Sequence, residues 1–169
     1  YDDTNGGFWQ SVHTPNLIMK VKEDYDGAIP SGNSVAVLAL LRLGKITDNK
    51  TFTELAEKTL LLFSDNMING PNAVPHLLQA LDFLVHEPRR AVITGDPKSI
   101  GTLNLIAAAH AAYQPNKVVL GVVGPVESFA KTLPKEGNSS AYLCTGSACQ
   151  PPTSNALKLQ EMMASKTLP

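Results

Sequence analysis

The sequence predicts an α+β chain in which helical hairpins in residues 1–88 precede a small α/β unit in residues 89–169 with a short, mainly parallel sheet. Two observations predict this class. Apolar residues recur at helical spacing from residue 34 to residue 87. Residues 91–123 instead hold two short apolar runs separated by a helix-length segment, which is the order that a parallel strand-helix-strand crossover requires.

Composition excludes several classes of protein. Hydrophobic residues make up 43% and charged residues 17% of 169 residues, as in a folded globular chain. The formal net charge is −1 and no basic run is longer than Arg89-Arg90, so we expect no nucleic-acid partner. The apolar stretches are too short to cross a bilayer, so we expect no membrane partner and a cytoplasmic location. A chain that starts on Tyr1 indicates that it was cut from a longer one.

Three helices are predicted in the first segment, after a loop-rich start. Residues 34–44 are apolar on nearly every side and predict a buried helix. Thr51 and Glu54 form a capping box for a second helix that reaches about Met67. Asn72 can cap a third helix, which ends before Pro88. Short polar loops between them predict antiparallel packing.

The second segment predicts a crossover. Residues 91–94 read as a strand, and Asp96-Pro97 reads as the cap and first position of a helix that ends near Tyr113. Residues 117–123 form the second strand, which should pair in parallel with the first. The remaining predicted elements are a short helix over 125–131, a third strand over 141–144, and a final helix over 156–164 that is capped by Ser154 or Asn155.

The loop from Asp26 to Asn33, which reads DGAIPSGN, is the most informative stretch for function. Ser31 and Asn33 are types that cap helices, and each can also bind a ligand at a helix start. Asp26 caps nothing nearby, which makes it the candidate catalytic acid or base, although an Asx turn would also explain it. Tyr25 and His76 join Ser31 and Asn33 as candidate substrate-binding residues, because aromatic rings and polar groups recognise sugars.

Cys144 and Cys149 are the only cysteines. Their spacing is neither that of a two-residue redox motif nor that of a zinc site. Two reduced thiols in a turn is the favoured interpretation, with a local disulfide and redox or metal chemistry as alternatives. No group of histidines has metal-ligand spacing, and we expect no cofactor.

An ordered series of motifs carries a resemblance over nearly the whole chain. GGF, DGAIPSGNSVAVLALLRL, LDFL, AVITGD, NKVVL and AYLCTGSACQPPT follow one another in this order. The series resembles the C-terminal region of the thioredoxin domain-containing YyaL and spermatogenesis-associated family, also called DUF255. That resemblance implies a thioredoxin-like domain upstream and a helical region similar to six-hairpin glycosidases, of which residues 1–88 would form part of an α/α toroid.

The resemblance implies three functional hypotheses. In the first, Asp26, Ser31 and Asn33 face a toroid cleft that binds a sugar, as in a carbohydrate-active or epimerase-like protein. In the second, Cys144 and Cys149 cooperate with the thioredoxin-like domain. In the third, the chain is a scaffold module without chemistry. The expected partners are the absent N-terminal part of the same protein and a second copy of the chain, because missing toroid neighbours would leave apolar surface exposed. A sugar ligand is expected at the cleft.

Overall fold

The computed structural model describes residues 1–12 and 15–165, which fall into two compact units. Unit 1 contains Tyr1–Gly44 and Asn49–Val85, and unit 2 contains Lys45–Asp48 and the chain from His86 onward. Mixed α and β content is confirmed, with seven α-helices and one four-stranded sheet in the described part of the chain. The toroid and the domain boundary at residue 88 stay predictions.

Unit 1 is built from four α-helices among the described residues, and all but the short third one bury apolar side chains. The helices are α1 (Gly32–Thr47), whose last residues belong to unit 2, α2 (Lys50–Leu62), α3 (Ser64–Asn69) and α4 (Pro75–Val85), with a 3-10 turn at Pro71–Ala73. The largest buried side chains on these helices are aliphatic or aromatic and recur at helical spacing: Val37, Leu41, Leu60, Leu77 and Phe83.

Two predicted helix details in unit 1 are wrong. Asn49, rather than Thr51, caps α2, because its side chain accepts a hydrogen bond from the Thr51 backbone N–H. The second helix also does not run unbroken to Met67, since Phe63 leaves helical geometry and separates α2 from α3. Phe63 is buried, so its packing outweighs the continuous helical pattern in the sequence.

Unit 2 is built on a sheet with strand order β2-β1-β3-β4. Its elements are β1 (Arg89–Gly95), α5 (Ile100–Ala111), β2 (Lys117–Gly121), α6 (Ser128–Thr132), β3 (Ser139–Thr145), β4 (Ala148–Cys149) and α7 (Ala156–Ala164). The predicted parallel pairing of β1 with β2 is confirmed. The prediction of a mainly parallel sheet is wrong, because β3 pairs antiparallel with both β1 and β4.

One face of this sheet packs against α5 and α7. The buried residues there include Ala91 and Ile93 on β1 and Leu143 on β3, which meet Leu105 of α5 and Leu159 of α7. Helix α5 begins at Ile100 with Ser99 as its cap, so Asp96-Pro97 is a turn before the helix and not its predicted start. The cap by Asn155 at the start of α7 is confirmed.

Two cations in unit 2, the buried Arg89 and the half-buried Lys117, bind the carbonyl groups at helix ends. Arg89 donates through Nη1 to the carbonyls of Met162 and Met163 at the end of α7, at 3.3 and 2.9 Å. Lys117 donates through Nζ to three carbonyls at the end of α5, at 2.7 to 2.9 Å. Positive charge at a helix C-terminus is favourable, so these cations both belong to the fold.

Gly95 closes β1 in a conformation that only glycine adopts easily, with φ of +136°. A Cβ there would lie 2.6 Å from Thr102 Oγ1 and 2.9 Å from the Asn138 carbonyl oxygen. We expect Gly95→Ala to lower the free energy of unfolding by about 2–4 kcal/mol, as measured by urea denaturation.

Gly124→Ala is the matched control for that substitution. Gly124 also has positive φ, at +93°, but a Cβ there would meet nothing within 4 Å. The control therefore carries the backbone cost without the collision. If both variants lose the same free energy of unfolding, the atoms around Gly95 can move to accommodate a Cβ without destabilising the fold.

No helix among the described residues combines the length and apolar character that a membrane span needs.

Candidate functional site

Asp26 joins its own loop to the start of α4. Its side chain is 8% exposed. Oδ1 accepts a hydrogen bond from the Ser31 backbone N–H at 2.8 Å. Oδ2 accepts from the backbone N–H groups of His76 at 2.8 Å and Leu77 at 3.2 Å, which are free donors of the first turn of α4. Asp26 therefore caps a helix 50 residues away in sequence.

Ser31 and Asn33 also make complete sets of contacts within the protein. Ser31 Oγ accepts from the Ser34 backbone N–H at 3.1 Å and donates to Ser34 Oγ at 2.8 Å, so it caps α1 as predicted for its type. Asn33 does not cap α1. Its Oδ1 accepts from the Phe8 N–H at 2.6 Å, and its Nδ2 donates to the carbonyls of Phe8 and Glu23 at 3.0 and 2.9 Å.

These contacts shape an open cleft of about 380 Å³ within unit 1. The cleft is walled by the N-terminal segment, the strand-like segment before Asp26, and the first turn of α1. Its lining residues are Phe8, Trp9, Gln10, Glu23, Tyr25, Ile29, Pro30, Ser31, Gly32, Asn33 and Ala36.

The structure brings three of the predicted site residues to this cleft and leaves two outside its lining. Tyr25, Ser31 and Asn33 line it, whereas Asp26 and His76 do not. Asp26 accepts hydrogen bonds from the backbone N–H groups of His76 and of Ser31, and Ser31 lines the cleft. Their roles as catalytic and substrate-binding residues stay predictions.

Glu23 and Gln10 are the lining residues with functional groups that sequence reasoning missed. Glu23 Oε1 accepts from the Tyr25 N–H at 3.0 Å, and its Oε2 has no hydrogen-bond partner in residues 1–12 and 15–165. Glu23 precedes Tyr25 by two positions, and residues i and i+2 share a face wherever a chain is extended. That spacing could have linked Glu23 to the predicted Tyr25.

Tyr25 and Trp9 differ in how available their rings are to a ligand. Tyr25 is 61% exposed and offers an open ring. Trp9 is held by cations, because Lys22 Nζ lies 4.4 Å and Lys20 Nζ 5.3 Å from its ring centroid. Tyr25 is therefore the ring best placed to stack on a ligand.

Asp2 anchors the cation that holds Trp9. Asp2 Oδ2 pairs with Lys22 Nζ at 2.7 Å, and its Oδ1 accepts from the backbone N–H groups of Thr4 and Asn5. The Lys22 ammonium, followed by the Asn5 N–H, holds the pKa of Asp2 well below the ordinary value of 3.8. The wall of the cleft at Trp9 thus depends on an ionised Asp2.

This pair predicts a specific pH dependence. A carboxyl whose folded-state pKa is lowered adds stability above its unfolded pKa and loses it as pH falls towards the folded value. We expect Asp2→Asn to be less stable than the parent chain at pH 7 in urea denaturation. The difference should narrow as the pH falls below about 4, where the unfolded chain takes up the proton.

Asp3→Asn is the control for that experiment. The Asp3 carboxylate makes no hydrogen bond within the described residues, although its backbone carbonyl accepts from Lys58. A difference between Asp2→Asn and the parent that stays constant from pH 7 to strongly acidic pH would contradict the ion pair as its cause.

Unit 2 contains the cysteine pair. Cys144 and Cys149 form a disulfide, so the favoured interpretation of two reduced thiols is wrong and the alternative of a local disulfide is confirmed. The two residues face each other in the register of β3 and β4, which places them at bonding distance. Over residues 1–12 and 15–165, no cluster of three metal-ligating side chains occurs.

Comparison with known proteins identifies homologues of this chain. It is similar to part of spermatogenesis-associated protein 20. The identity is 32% with the human protein and 31% with the rat protein, over 96% of this chain in each case. An uncharacterised protein of Caenorhabditis elegans is 27% identical over 94% of the chain.

The chain spans only 22% of the length of these relatives. The match therefore corresponds to one region of longer relatives. No protein-family model matches the chain. No solved structure matches it at a significant level. The similarity to spermatogenesis-associated protein 20 indicates no activity.

Proposed function

We propose that unit 1 supplies one wall of a carbohydrate-binding cleft in a longer protein. The observation that supports this is the composition of the cleft, which sets the open ring of Tyr25 beside the polar groups of Glu23 and Gln10. Aromatic rings stack on the apolar face of a pyranose, and carboxylate and amide groups bind its hydroxyls. The cleft volume of about 380 Å³ accommodates a small ligand of this class.

Within this proposal, some residues of the cleft contact the ligand and others hold the cleft walls in place. Tyr25, Glu23 and Gln10 contact the sugar, through the exposed Tyr25 ring, the Glu23 Oε2 atom and the Gln10 amide. Asn33 and Ser31 hold the walls, since their side chains are occupied by Phe8, Glu23 and Ser34. Asp26 is a positioning residue rather than a catalytic one, because three backbone N–H groups occupy its carboxylate. Glu23 replaces it as the carboxylate available for acid or base work on the ligand.

Isothermal titration of the longer protein with a panel of monosaccharides and sugar phosphates tests the proposal. We expect Tyr25→Ala and Glu23→Gln each to weaken binding of a panel sugar about tenfold, corresponding to about 1.4 kcal/mol per contact. Tyr113→Ala is the control, since Tyr113 is also an exposed tyrosine, at 89% against 61% for Tyr25, but lies in unit 2. Binding that both cleft variants leave unchanged, or absence of binding throughout the panel, would reject the proposal.

A second function is docking of unit 2 against the rest of the same polypeptide. Helix α5 exposes the apolar side chains of Ile100 and Leu103, at 76% and 50%. These residues are three positions apart and therefore lie on the same face of the helix, where exposed apolar surface is typical of a contact site, and 78% of the relatives' length lies outside the matched region. The isolated chain should therefore self-associate in light scattering, and Leu103→Glu should restore a monomer. A monomeric parent chain would contradict this function.

A further inference from the structure

The disulfide lies in a short hairpin at one edge of the unit 2 sheet. Strand β4 has only two residues, Ala148 and Cys149, and the chain reverses at Gly146, where φ is +56°. The bridge closes a loop with a sequence separation of only five residues. Such a short closure constrains the unfolded chain far less than a long one. The disulfide therefore contributes little as a staple.

A buried cation lies next to this bridge. Arg90 on β1 is the register partner of Cys144 on β3, so the two side chains share one face of the sheet. Arg90 is only 6% exposed. Its guanidinium donates to the Glu127 carboxylate and to the Gly146 carbonyl in the hairpin turn.

The Nε–H of Arg90 adds a second, independent observation. It is buried and has no hydrogen-bond partner within residues 1–12 and 15–165. A buried donor without an acceptor is costly, and a redox role for the neighbouring groups is one of the explanations for such a donor. A thiolate at Cys144 would be an acceptor on the same face of the sheet. Cations beside a cysteine stabilise its thiolate.

We propose that Cys144–Cys149 is a thiol-exchange site, reduced by a dithiol, in which Arg90 positions and stabilises the leaving thiolate. Cys149 is half-buried and Cys144 fully buried, so the incoming thiolate attacks Cys149 Sγ. The Sγ–Sγ bond breaks, a mixed disulfide forms at Cys149, and Cys144 leaves as a thiolate beside Arg90. The second thiol of the dithiol then attacks the mixed disulfide and releases Cys149, so two electrons pass to the hairpin and the dithiol becomes a disulfide.

This site differs from the carbohydrate cleft in location and chemistry, because it lies wholly in unit 2. Glu127 has an opposing effect on it. Its carboxylate pairs with Arg90 and offsets part of the cationic charge that acts on Cys144. Removing the Arg90 charge should therefore make the bridge harder to reduce, and removing the Glu127 charge should make it easier to reduce.

Differential alkylation with peptide mass spectrometry, in graded dithiothreitol near neutral pH, measures both the rate and the equilibrium of reduction in the folded chain. We expect Arg90→Met to lower the rate constant and the equilibrium constant about tenfold, which corresponds to about 30 mV in potential. Glu127→Gln should raise both. Lys45→Met is the control, since Lys45 forms an exposed ion pair with Glu87 and its loss changes net charge by the same amount.

Opposite shifts in the two variants, with no shift in the control, support the proposal. If Arg90→Met fails to fold, the Glu127→Gln variant alone decides. Its free energy of unfolding is then measured by urea denaturation. If that free energy equals the parent's, faster reduction of the bridge is due to the lost negative charge and not to a weakened structure. Reduction of the parent bridge only at denaturing urea concentrations would overturn the proposal. Shifts of the same sign, or a shift in the Lys45→Met control equal to that in Arg90→Met, would also overturn it.

Discussion

Replacing Asp26 with asparagine is expected to lower the free energy of unfolding by about 2–3 kcal/mol. The carboxylate accepts one backbone N–H within its loop and two at the start of α4. An asparagine keeps one acceptor oxygen and puts an NH₂ group in place of the other. Either Ser31 or the His76 and Leu77 pair then faces a donor, and buried N–H groups lose their partners.

Urea denaturation measures this loss, and Asp3→Asn is its control. Asp3 is exposed, so its substitution should change the free energy of unfolding by less than about 0.5 kcal/mol. A loss that small in Asp26→Asn would show that the loop and α4 do not depend on the carboxylate. If Asp26 were a catalytic acid or base, the Asp26→Asn variant would keep the stability of the parent chain and lose activity. The two outcomes therefore distinguish a catalytic role from a structural one.

The sequence was most informative where local pattern decides the structure. Apolar residues on nearly every side predicted α1, an apolar stripe predicted α4, and the cap at Asn155 predicted α7. The parallel pairing of β1 with β2 followed from the length of the crossover between them. These features depend on residues that are close together in the sequence, so the local sequence pattern is enough to predict them.

It was least informative where a partner lies far along the chain. The cap of α4 comes from Asp26, 50 residues before it, and no local rule places that carboxylate at His76. The antiparallel pairing of β3 with β1 was missed for the same reason, since the approach direction of β3 depends on the path of residues 122–138. Strand β4 has two residues, which is too short for any period to be read.

The candidate site shows the same division. Ser31 and Asn33 were predicted from residue type at a helix start and Tyr25 from its aromatic ring, and all three line the cleft. Asn33 was expected to act towards α1 or a ligand. In the structure its side chain instead bonds the backbone of Phe8 and Glu23, which lie 25 and 10 residues away in sequence. Residue type thus located the cleft but not the direction in which its side chains act.

Asn33→Asp is expected to lower the free energy of unfolding by about 3 kcal/mol or more. Asn33 is 2% exposed, and its amide both donates and accepts. In the variant, the oxygen that replaces Nδ2 would face the carbonyl oxygens of Phe8 and Glu23 without a proton between them. Asn72→Asp, at an exposed position in unit 1, is the matched control and should be nearly neutral.

The same substitution tests whether Asn33 holds the walls of the cleft or contacts the ligand directly. If Asn33 holds both walls, its loss should speed hydrogen exchange at the Phe8 amide, whose acceptor is Asn33 Oδ1, even in molecules that remain folded. It should also weaken sugar binding, because Phe8 and Glu23 line the cleft on either side. Glu23→Gln should weaken binding without the change in exchange. Weakened binding in Asn33→Asp with unchanged exchange at Phe8 would instead make Asn33 a direct ligand contact.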